Sequence, residues 1–213
     1  MDHAAFIRAN TEILSPPLVP EVRLHLAHEA LPIWQKTEEE LGEIGLPPPF
    51  WAFAWAGGQA LARHVLDHGD LVHGKRVVDL ASGSGLVGIA ALKAGATSVL
   101  AADIDTFSVA AIALNAALNA VSLAISADDL LRNPAPSCDI ILVGDLFYEQ
   151  RLAERCVDWL AAAKARGLEV LIGDPGRNYL PKNKLVRVAD YAVPVTRHLE
   201  DAEIKKTAVW RLA

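Results

Sequence analysis

Three glycines and a preceding acid are the residues whose types and spacing have the clearest chemical meaning. Gly83, Gly85 and Gly88 spell G-x-G-x-x-G, and Asp79 stands four residues before the first of them. Glycines at this spacing allow a tight turn after a strand and a close approach of the backbone to a nucleotide. A pyrophosphate would lie at the positive end of the following helix, but Asp79 would repel it, and residues 78–91 contain no Arg or Lys. The pattern therefore favours a nucleotide-like ligand without phosphate.

S-adenosylmethionine meets this requirement, because it carries an ammonium and a sulfonium group and no phosphate. The D-x-x-x-G-x-G form from Asp79 to Gly85 resembles motif I of the seven-β-strand, Rossmann-like methyltransferases. The resemblance implies that Asp79, Gly83 and Gly85 bind S-adenosylmethionine, with S-adenosylhomocysteine as the product. Ser82 is placed to bond the carboxylate of the cofactor. An NAD-binding oxidoreductase is the alternative that the glycine pattern leaves open.

Two further acids are expected to bind the cofactor. Asp103 ends an apolar segment twenty residues after Gly83, the spacing at which an acid commonly accepts hydrogen bonds from ribose hydroxyls. Asp105 is the weaker candidate for that role, and an N-cap role for Asp103 is the alternative. Asp128, or its neighbour Asp129, follows the third predicted strand at the edge where ligands of open α/β sheets bind.

Asp145 and Tyr148 are predicted to form the methyl-acceptor site. They follow the apolar run 140–143, which is typical of a strand covered on both faces. The segment 145–148 resembles the D-x-x-Y motif of the lysine methyltransferase family that contains the electron transfer flavoprotein β-subunit enzyme. A carboxylate here can hold a lysine ammonium by a charge-assisted hydrogen bond and align the deprotonated amine for attack. Tyr148 would supply an aromatic wall and a hydroxyl. An N-cap Asp145 and a core Tyr148 are the alternative.

An aromatic segment in front of the glycine motif adds to the same resemblance. Residues 50–58, FWAFAWAGG, resemble the segment that precedes motif I in this family. A ring beside a sulfonium or ammonium contributes about 1 kcal/mol of cation–π energy. Trp55, next to the glycines, is predicted to contact the cofactor, whereas packing explains Trp51 and Phe53 equally well. Residues 174–181 also resemble a family segment, with a Pro-Gly turn as the alternative.

The composition limits which classes of partner and which cellular compartment are expected. A net charge of −6 disfavours a nucleic-acid partner, which needs cationic neutralisation of phosphates, and favours a lysine-bearing protein. Cys138 and Cys156 form no C-x-x-C pair, which indicates a reducing compartment. His64 and His68, like His25 and His28, are spaced to share a helix face but lack a third ligand, so no metal site is predicted. With no signal segment or membrane-spanning run, we expect no membrane association and a cytoplasmic location.

Alternating strand and helix signals after residue 74 define the core that must position these residues. Strands are predicted at 76–78, 98–103, 121–126, 139–144 and 169–173, and helices at 59–68, 86–94, 108–119 and 150–166. The runs 185–195 and 205–212 leave no room for a crossover helix, so they should pair antiparallel. The expected fold is α/β, a Rossmann-like seven-stranded methyltransferase sheet whose last strand is antiparallel.

The front of the chain is expected to form an accessory layer on this sheet. Residues 1–72 are assigned to an N-terminal helical and aromatic layer, with helices at 23–31 and 34–41, and residues 73–213 to the methyltransferase core of one compact domain.

The sequence therefore predicts a protein-lysine N-methyltransferase that uses S-adenosylmethionine, with the electron transfer flavoprotein β subunit as the expected substrate. A ribosomal-protein or small-molecule amino-group methyltransferase is the first alternative. An NAD-binding oxidoreductase or an inactive binding module is the alternative of another class.

Overall fold

The computed structural model describes residues 2–27, 48–195 and 203–213. The helices are α1 (His3–Ala9), α2 (Ala56–Asp67), α3 (Leu86–Lys93), α4 (Thr106–Leu118) and α5 (Gln150–Ala165). The strands are β1 (Glu12–Leu14), β2 (Leu24–Leu26), β3 (Arg76–Leu80), β4 (Ser98–Ala102), β5 (Ala124–Ser126), β6 (Ile140–Gly144), β7 (Glu169–Asp174), β8 (Leu185–Pro194) and β9 (Ile204–Leu212). Short 3₁₀ turns cover Phe50–Ala52, Gly69–Leu71, Leu130–Arg132 and Lys182–Lys184. No helix of the described residues is long and apolar enough to cross a membrane.

Seven strands form one sheet in the order β5-β4-β3-β6-β7-β9-β8, while β1 and β2 pair separately. Strands β3 to β7 run parallel, and β9 lies antiparallel between β7 and β8. The predicted antiparallel insertion at the end of the sheet is therefore confirmed. The chain crosses from β4 and β5 on one side of β3 to β6 on the other, so the loops after these strands open a crevice at their carboxyl ends.

Strand β6 shows why the sheet forms at the centre of the molecule. Its first four residues are fully buried, and alternate side chains point to opposite faces. Leu142 packs in one apolar cluster with Leu61 of α2, whereas Val143 packs in a second cluster with Leu160 of α5. The unbroken apolar run is thus required because helices cover both faces of the strand.

Residues from the front of the chain share the apolar core of the sheet. Val22 and Leu24 belong to the same buried cluster as Val77 and Ile140. The division into residues 1–72 and 73–213 stays a prediction.

The helix predicted at 23–31 is wrong for the part that the structure describes. Leu24–Leu26 forms β2 and pairs antiparallel with β1. The Asn119 side chain accepts a hydrogen bond from the Arg23 backbone N–H at 3.0 Å, and Asn115 accepts one from the His25 N–H at 2.8 Å. These amides, one on α4 and one directly after it, replace the partners that a helix would provide. Residues 28–31 and the predicted helix at 34–41 lie outside the described residues.

Candidate active site

A cavity of about 570 Å³ opens at the carboxyl ends of β3, β4, β5 and β6. This volume lies in the range typical of small-molecule and cofactor sites. Its walls come from the loops after these four strands, together with side chains from the turn before α2 and from the loop after β7. The cavity therefore lies at the crevice that the strand order creates.

The predicted site residues fall into two groups. One group lines the cavity directly: Trp55, Gly83, Asp103, Asp128, Asp145 and Tyr148. The other group belongs to the glycine loop or lies behind it and is not part of the cavity lining: Asp79, Ser82 and Gly85.

The glycine loop after β3 has a left-handed backbone at alternating positions. The φ angles of Ala81, Gly83 and Gly85 are +53°, +55° and +83°. A Cβ added at Gly83 would meet no atom within 4 Å, so the backbone conformation is what favours glycine there. This conformation points the Gly83 N–H away from the loop and towards the end of β4.

Asp79 holds the glycine loop against α3 from behind. Its side chain is buried, and one oxygen accepts hydrogen bonds from the Ser82 hydroxyl at 2.5 Å and from the Gly88 N–H at 2.9 Å. Burial raises the pKa of Asp79 to about 6. A Cβ at Gly88 would lie 3.0 Å from the Asp79 carboxylate, which explains the third glycine of the motif. Asp79 and Ser82 bond to each other and stabilise the loop that carries Gly83.

Asp103 joins the end of β4 to the glycine loop. Its two oxygens accept hydrogen bonds from the Gly83 N–H at 2.8 Å and the Asp105 N–H at 3.0 Å. A carboxylate has about four acceptor positions, so further positions remain for two neighbouring hydroxyls. Burial raises the pKa of Asp103. The N-cap of α4 is Asp105, which accepts from the Phe107 N–H at 2.9 Å, so the N-cap alternative for Asp103 is wrong.

The loop after β5 brings two acids to the cavity. Asp128 bonds to the Ser126 hydroxyl at 2.9 Å, whereas Asp129 forms ion pairs with Arg155 at 2.7 Å and Arg132 at 3.2 Å. The charged side chains that line the whole cavity are Asp103, Asp105, Asp128, Asp129, Asp145, Arg155 and Arg177. This lining suits a cationic ligand without phosphate, so the residues present fit S-adenosylmethionine better than a dinucleotide.

Asp145 stands at the other side of β3, directly after β6, and both its oxygens are bonded to the protein. The Gly57 N–H donates to Oδ2 at 2.7 Å, and Arg177 Nε donates to Oδ1 at 2.6 Å. Its φ of +58° is rare for a residue with a side chain and costs conformational energy, a type of strain that clusters at functional sites. The N-cap of α5 is Glu149. The N-cap alternative for Asp145 is therefore wrong.

The start of α2 reaches Asp145 because glycines on α2 and at the strand ends let the backbones touch. A Cβ at Gly57 would lie 2.3 Å from the Gly173 carbonyl oxygen and 2.8 Å from the Asp145 nitrogen. A Cβ at Gly144 would lie 3.0 Å from the Gly58 Cα. The sequence indicates a helix start at the Gly-Gly pair, but the close approach to the ends of β6 and β7 was not predicted. The matching signal is a glycine near the end of each of those strands.

An aromatic mouth, formed by Phe50, Trp55 and Tyr148, borders the cavity beside Asp145. The ring centroids of Phe50 and Trp55 are 5.9 Å apart, and those of Phe50 and Tyr148 are 5.3 Å apart. The Arg177 guanidinium lies 5.9 Å from the centroid of the Trp55 ring. Tyr148 is 46% exposed, so the core-packing alternative for this residue is wrong. Neither Phe50 nor Arg177 was singled out from the sequence as a site residue.

The other two aromatic residues of this segment serve packing. Trp51 and Phe53 are buried in one apolar cluster with Phe107 of α4, and the rings of Trp51 and Phe107 stack at 6.0 Å. The packing interpretation therefore holds for both residues.

None of the histidine and cysteine side chains that the structure describes lines the cavity. Within residues 2–27, 48–195 and 203–213, no group of three or more His, Cys, Asp or Glu side chains is arranged to hold a metal ion. His64 is buried on α2 and bonds to the Tyr191 hydroxyl at 3.0 Å. Cys138 and Cys156 are free and buried, and burial raises the pKa of Cys156 to about 12.

Comparison with known proteins finds methyltransferases. The family model of the ribosomal protein L11 methyltransferase (PrmA) matches residues 60–146. Among solved structures, TrmN from Thermus thermophilus has a TM-score of 0.53 at 22% identity, covering 71% of this chain and 48% of that one, which shows the methyltransferase fold.

Curated relatives match almost the whole chain. The electron transfer flavoprotein beta subunit lysine methyltransferase of Xenopus laevis is 38% identical over 212 residues, covering 97% of this chain and 85% of that protein. The protein of the same name from Homo sapiens is 35% identical over 213 residues, covering 97% of this chain and 80% of that protein. With a cavity that fits S-adenosylmethionine, this chain belongs to the electron transfer flavoprotein beta subunit lysine methyltransferase family of S-adenosylmethionine-dependent enzymes.

Proposed function

We propose that this lysine methyltransferase acts on the electron transfer flavoprotein β subunit and that Asp145 holds the target amine. The relatives named for that substrate support the first part. One observation carries the second: the Asp145 carboxylate borders the cavity beside Tyr148 and is held from both sides by Gly57 and Arg177. A fixed charge at this point is what an incoming ammonium requires.

The cofactor residues are assigned by their place along the cavity. Asp103 accepts the ribose hydroxyls, and Gly83, Trp55 and Asp128 line the same cavity. Asp79, Ser82 and Gly85 act on the cofactor by shaping the loop rather than by lining its site. Asp103 and Asp145 follow strands two positions apart in the sheet, a separation of about 10 Å at the usual strand spacing. S-adenosylmethionine bound between them supplies an electrophilic methyl group.

Asp145 contributes to methyl transfer by binding and orienting the lysine amine and does not have to act as a strong base. A lysine with a pKa near 10.4 is neutral in roughly one molecule in several thousand at pH 7, a cost of about 4.6 kcal/mol at the 1.36 kcal/mol that each pKa unit represents. The carboxylate binds the ammonium, the proton leaves to water, and the same contact then orients the lone pair. The nitrogen–carbon bond forms as the carbon–sulfur bond breaks, and S-adenosylhomocysteine is released. Tyr148 forms the wall beside this path.

Labelled-methyl transfer into the purified flavoprotein β subunit tests this function. We expect label on lysine Nε, located by mass spectrometry, with the wild-type enzyme and little label with Asp145→Ala. Asp158→Ala, which removes an exposed acid of α5 outside the cavity, is the matched control and should keep wild-type activity.

The alternatives give different products in the same experiment. If a cell lysate is added as a competing source of substrates, the alternatives predict label in a ribosomal protein, in a small molecule or in RNA instead. Label in any of these, with none in the flavoprotein β subunit, would overturn the substrate assignment. Unchanged transfer by folded Asp145→Ala would overturn the acceptor assignment. The cytoplasmic location stays a prediction.

A further inference from the structure

Arg177 contacts the Asp145 oxygen that does not bond to the start of α2. Its Nε donates to Oδ1 at 2.6 Å, and the two side chains are 22% and 3% exposed. The Gly57 N–H donates a hydrogen bond to the other oxygen, Oδ2. An ion pair this far from water is screened little, so it acts strongly on both the orientation and the ionisation of the carboxylate.

Asp174, at the end of β7, fixes the position from which Arg177 reaches back to β6. Its Oδ1 accepts hydrogen bonds from the backbone N–H of Gly176 at 2.6 Å and of Arg177 at 2.7 Å. Gly176 has a φ of +92°, which closes the turn. The Tyr179 N–H donates to the Phe147 carbonyl at 3.2 Å, so this loop is also tied to the acceptor loop. These backbone hydrogen bonds therefore fix the turn that places the guanidinium against Asp145.

The carboxylates of Asp145 and Asp174 are both buried at the ends of neighbouring strands, so a nearby cation is required to offset their repulsion. Asp174 is 1% exposed, and its Oδ2 has no hydrogen-bond partner among the described residues. Burial raises the pKa of Asp174 to about 6, the charge of Asp145 adds to the shift, and Arg177 opposes it. Tyr148 also faces this group, and burial raises the pKa of its hydroxyl. Without the guanidinium, the pair would lose the cation that offsets the repulsion between an ionised Asp145 and Asp174.

We propose that Arg177 is a positioning residue for methyl transfer, which keeps Asp145 ionised and aimed at the acceptor amine while Asp174 anchors the arginine backbone. The proposal rests on the acceptor role proposed above for Asp145. Because Arg177 and Gly57 bond to different oxygens, the two contacts together fix the orientation of the carboxylate. Arg177 thus acts on the acceptor amine only indirectly, by orienting the Asp145 carboxylate that binds it.

The test compares Arg177→Gln, Arg177→Lys and the control Arg187→Gln, which removes an exposed arginine paired with Asp190 on β8. We expect Arg177→Gln to lower kcat at least tenfold, with S-adenosylhomocysteine affinity within threefold of wild type. Arg177→Lys should recover part of the loss. In Arg177→Gln, the acidic limb of the profile of kcat/KM against pH should move to higher pH, because the carboxylate has lost the cation that favours its ionised form. Arg187→Gln should match wild type in all three measurements.

A double-mutant cycle separates this proposal from a purely structural role. If Arg177 acts through Asp145, adding Arg177→Gln to Asp145→Asn should change the residual rate by less than twofold. A wild-type rate and pH profile for folded Arg177→Gln would overturn the proposal, and so would a rate increase, which would indicate that Arg177 blocks the amine. Failure of the proposed function looks different: Asp145→Ala would then keep wild-type transfer, or the wild-type enzyme itself would label no lysine.

Discussion

Replacement of Gly57 by alanine tests the backbone contact that places α2 against the acceptor site. The added Cβ would lie 2.3 Å from the Gly173 carbonyl oxygen and 2.9 Å from the Asp145 Cβ. The nearest of these atoms is backbone at the end of a buried strand and has little room to move. Gly58→Ala is the matched control, since its Cβ would meet only the Leu86 Cδ2 at 4.0 Å.

The expected free energies follow from those distances. Overpacking costs typically 1–3 kcal/mol, and contact with rigid backbone puts Gly57→Ala near about 3 kcal/mol. At 2–4 °C per kcal/mol for a chain of this size, the melting temperature should fall by roughly 6–12 °C. Gly58→Ala should be neutral or up to about 1 kcal/mol more stable, because alanine favours a helix over glycine.

The methyl-transfer activities of Gly57→Ala and Gly58→Ala should also differ. Displacing the Gly57 N–H from Asp145 removes a hydrogen bond to a charged group, worth about 1.5–3 kcal/mol. Labelled-methyl transfer, measured where both variants are folded, should therefore fall roughly ten- to a hundredfold in Gly57→Ala and stay unchanged in Gly58→Ala. Urea unfolding followed by circular dichroism gives the stabilities. Equal stability and equal activity of the two variants would refute the close approach of α2 to the strand ends.

Three further predictions concern the cofactor, the acceptor and a buried histidine. Asp103→Ala should weaken S-adenosylhomocysteine binding at least tenfold in calorimetry, since hydrogen bonds to a carboxylate contribute about 1.5–3 kcal/mol each; wild-type affinity would exclude the ribose role. Asp145→Asn should lose most transfer while keeping that affinity within a few-fold, and parallel losses of both would contradict an acceptor role. Burial lowers the pKa of His64, so the folded state binds fewer protons there than the unfolded chain, and stability falls as the pH drops through about 6.5. His64→Gln should therefore gain stability relative to wild type between pH 7.5 and 5.5 in thermal melts, and a constant difference would contradict the assignment.

The parts of the fold that the sequence predicts are those set by local chemistry. The apolar run of β6 and the β-branched start of β3 indicate buried strands without reference to the rest of the chain. The helix predicted at 86–94 is α3, and Gly95, with a φ of +96°, lies just beyond its end. Asp103 was predicted from its spacing to Gly83, and the hydrogen bond between them shows why that spacing matters.

The parts that were missed depend on partners distant in sequence. Strand β2 forms because side chains of α4, about ninety residues away, bond to its backbone. The contact of Gly57 with Gly173 and the approach of Arg177 to Asp145 exist only once β6 and β7 lie side by side. Residues 174–181 carried a signal through their family resemblance, but no property of Arg177 alone indicates where its guanidinium goes.

A crystal structure with S-adenosylhomocysteine would show directly whether the cavity holds the cofactor between Asp103 and the acceptor site at Asp145. We expect the ribose hydroxyls to be hydrogen-bonded to the Asp103 carboxylate and the sulfur to lie at the end of the cavity nearest Asp145 and Tyr148. A ligand that places its adenine or its carboxylate against Asp145, or that binds outside this cavity, would contradict it.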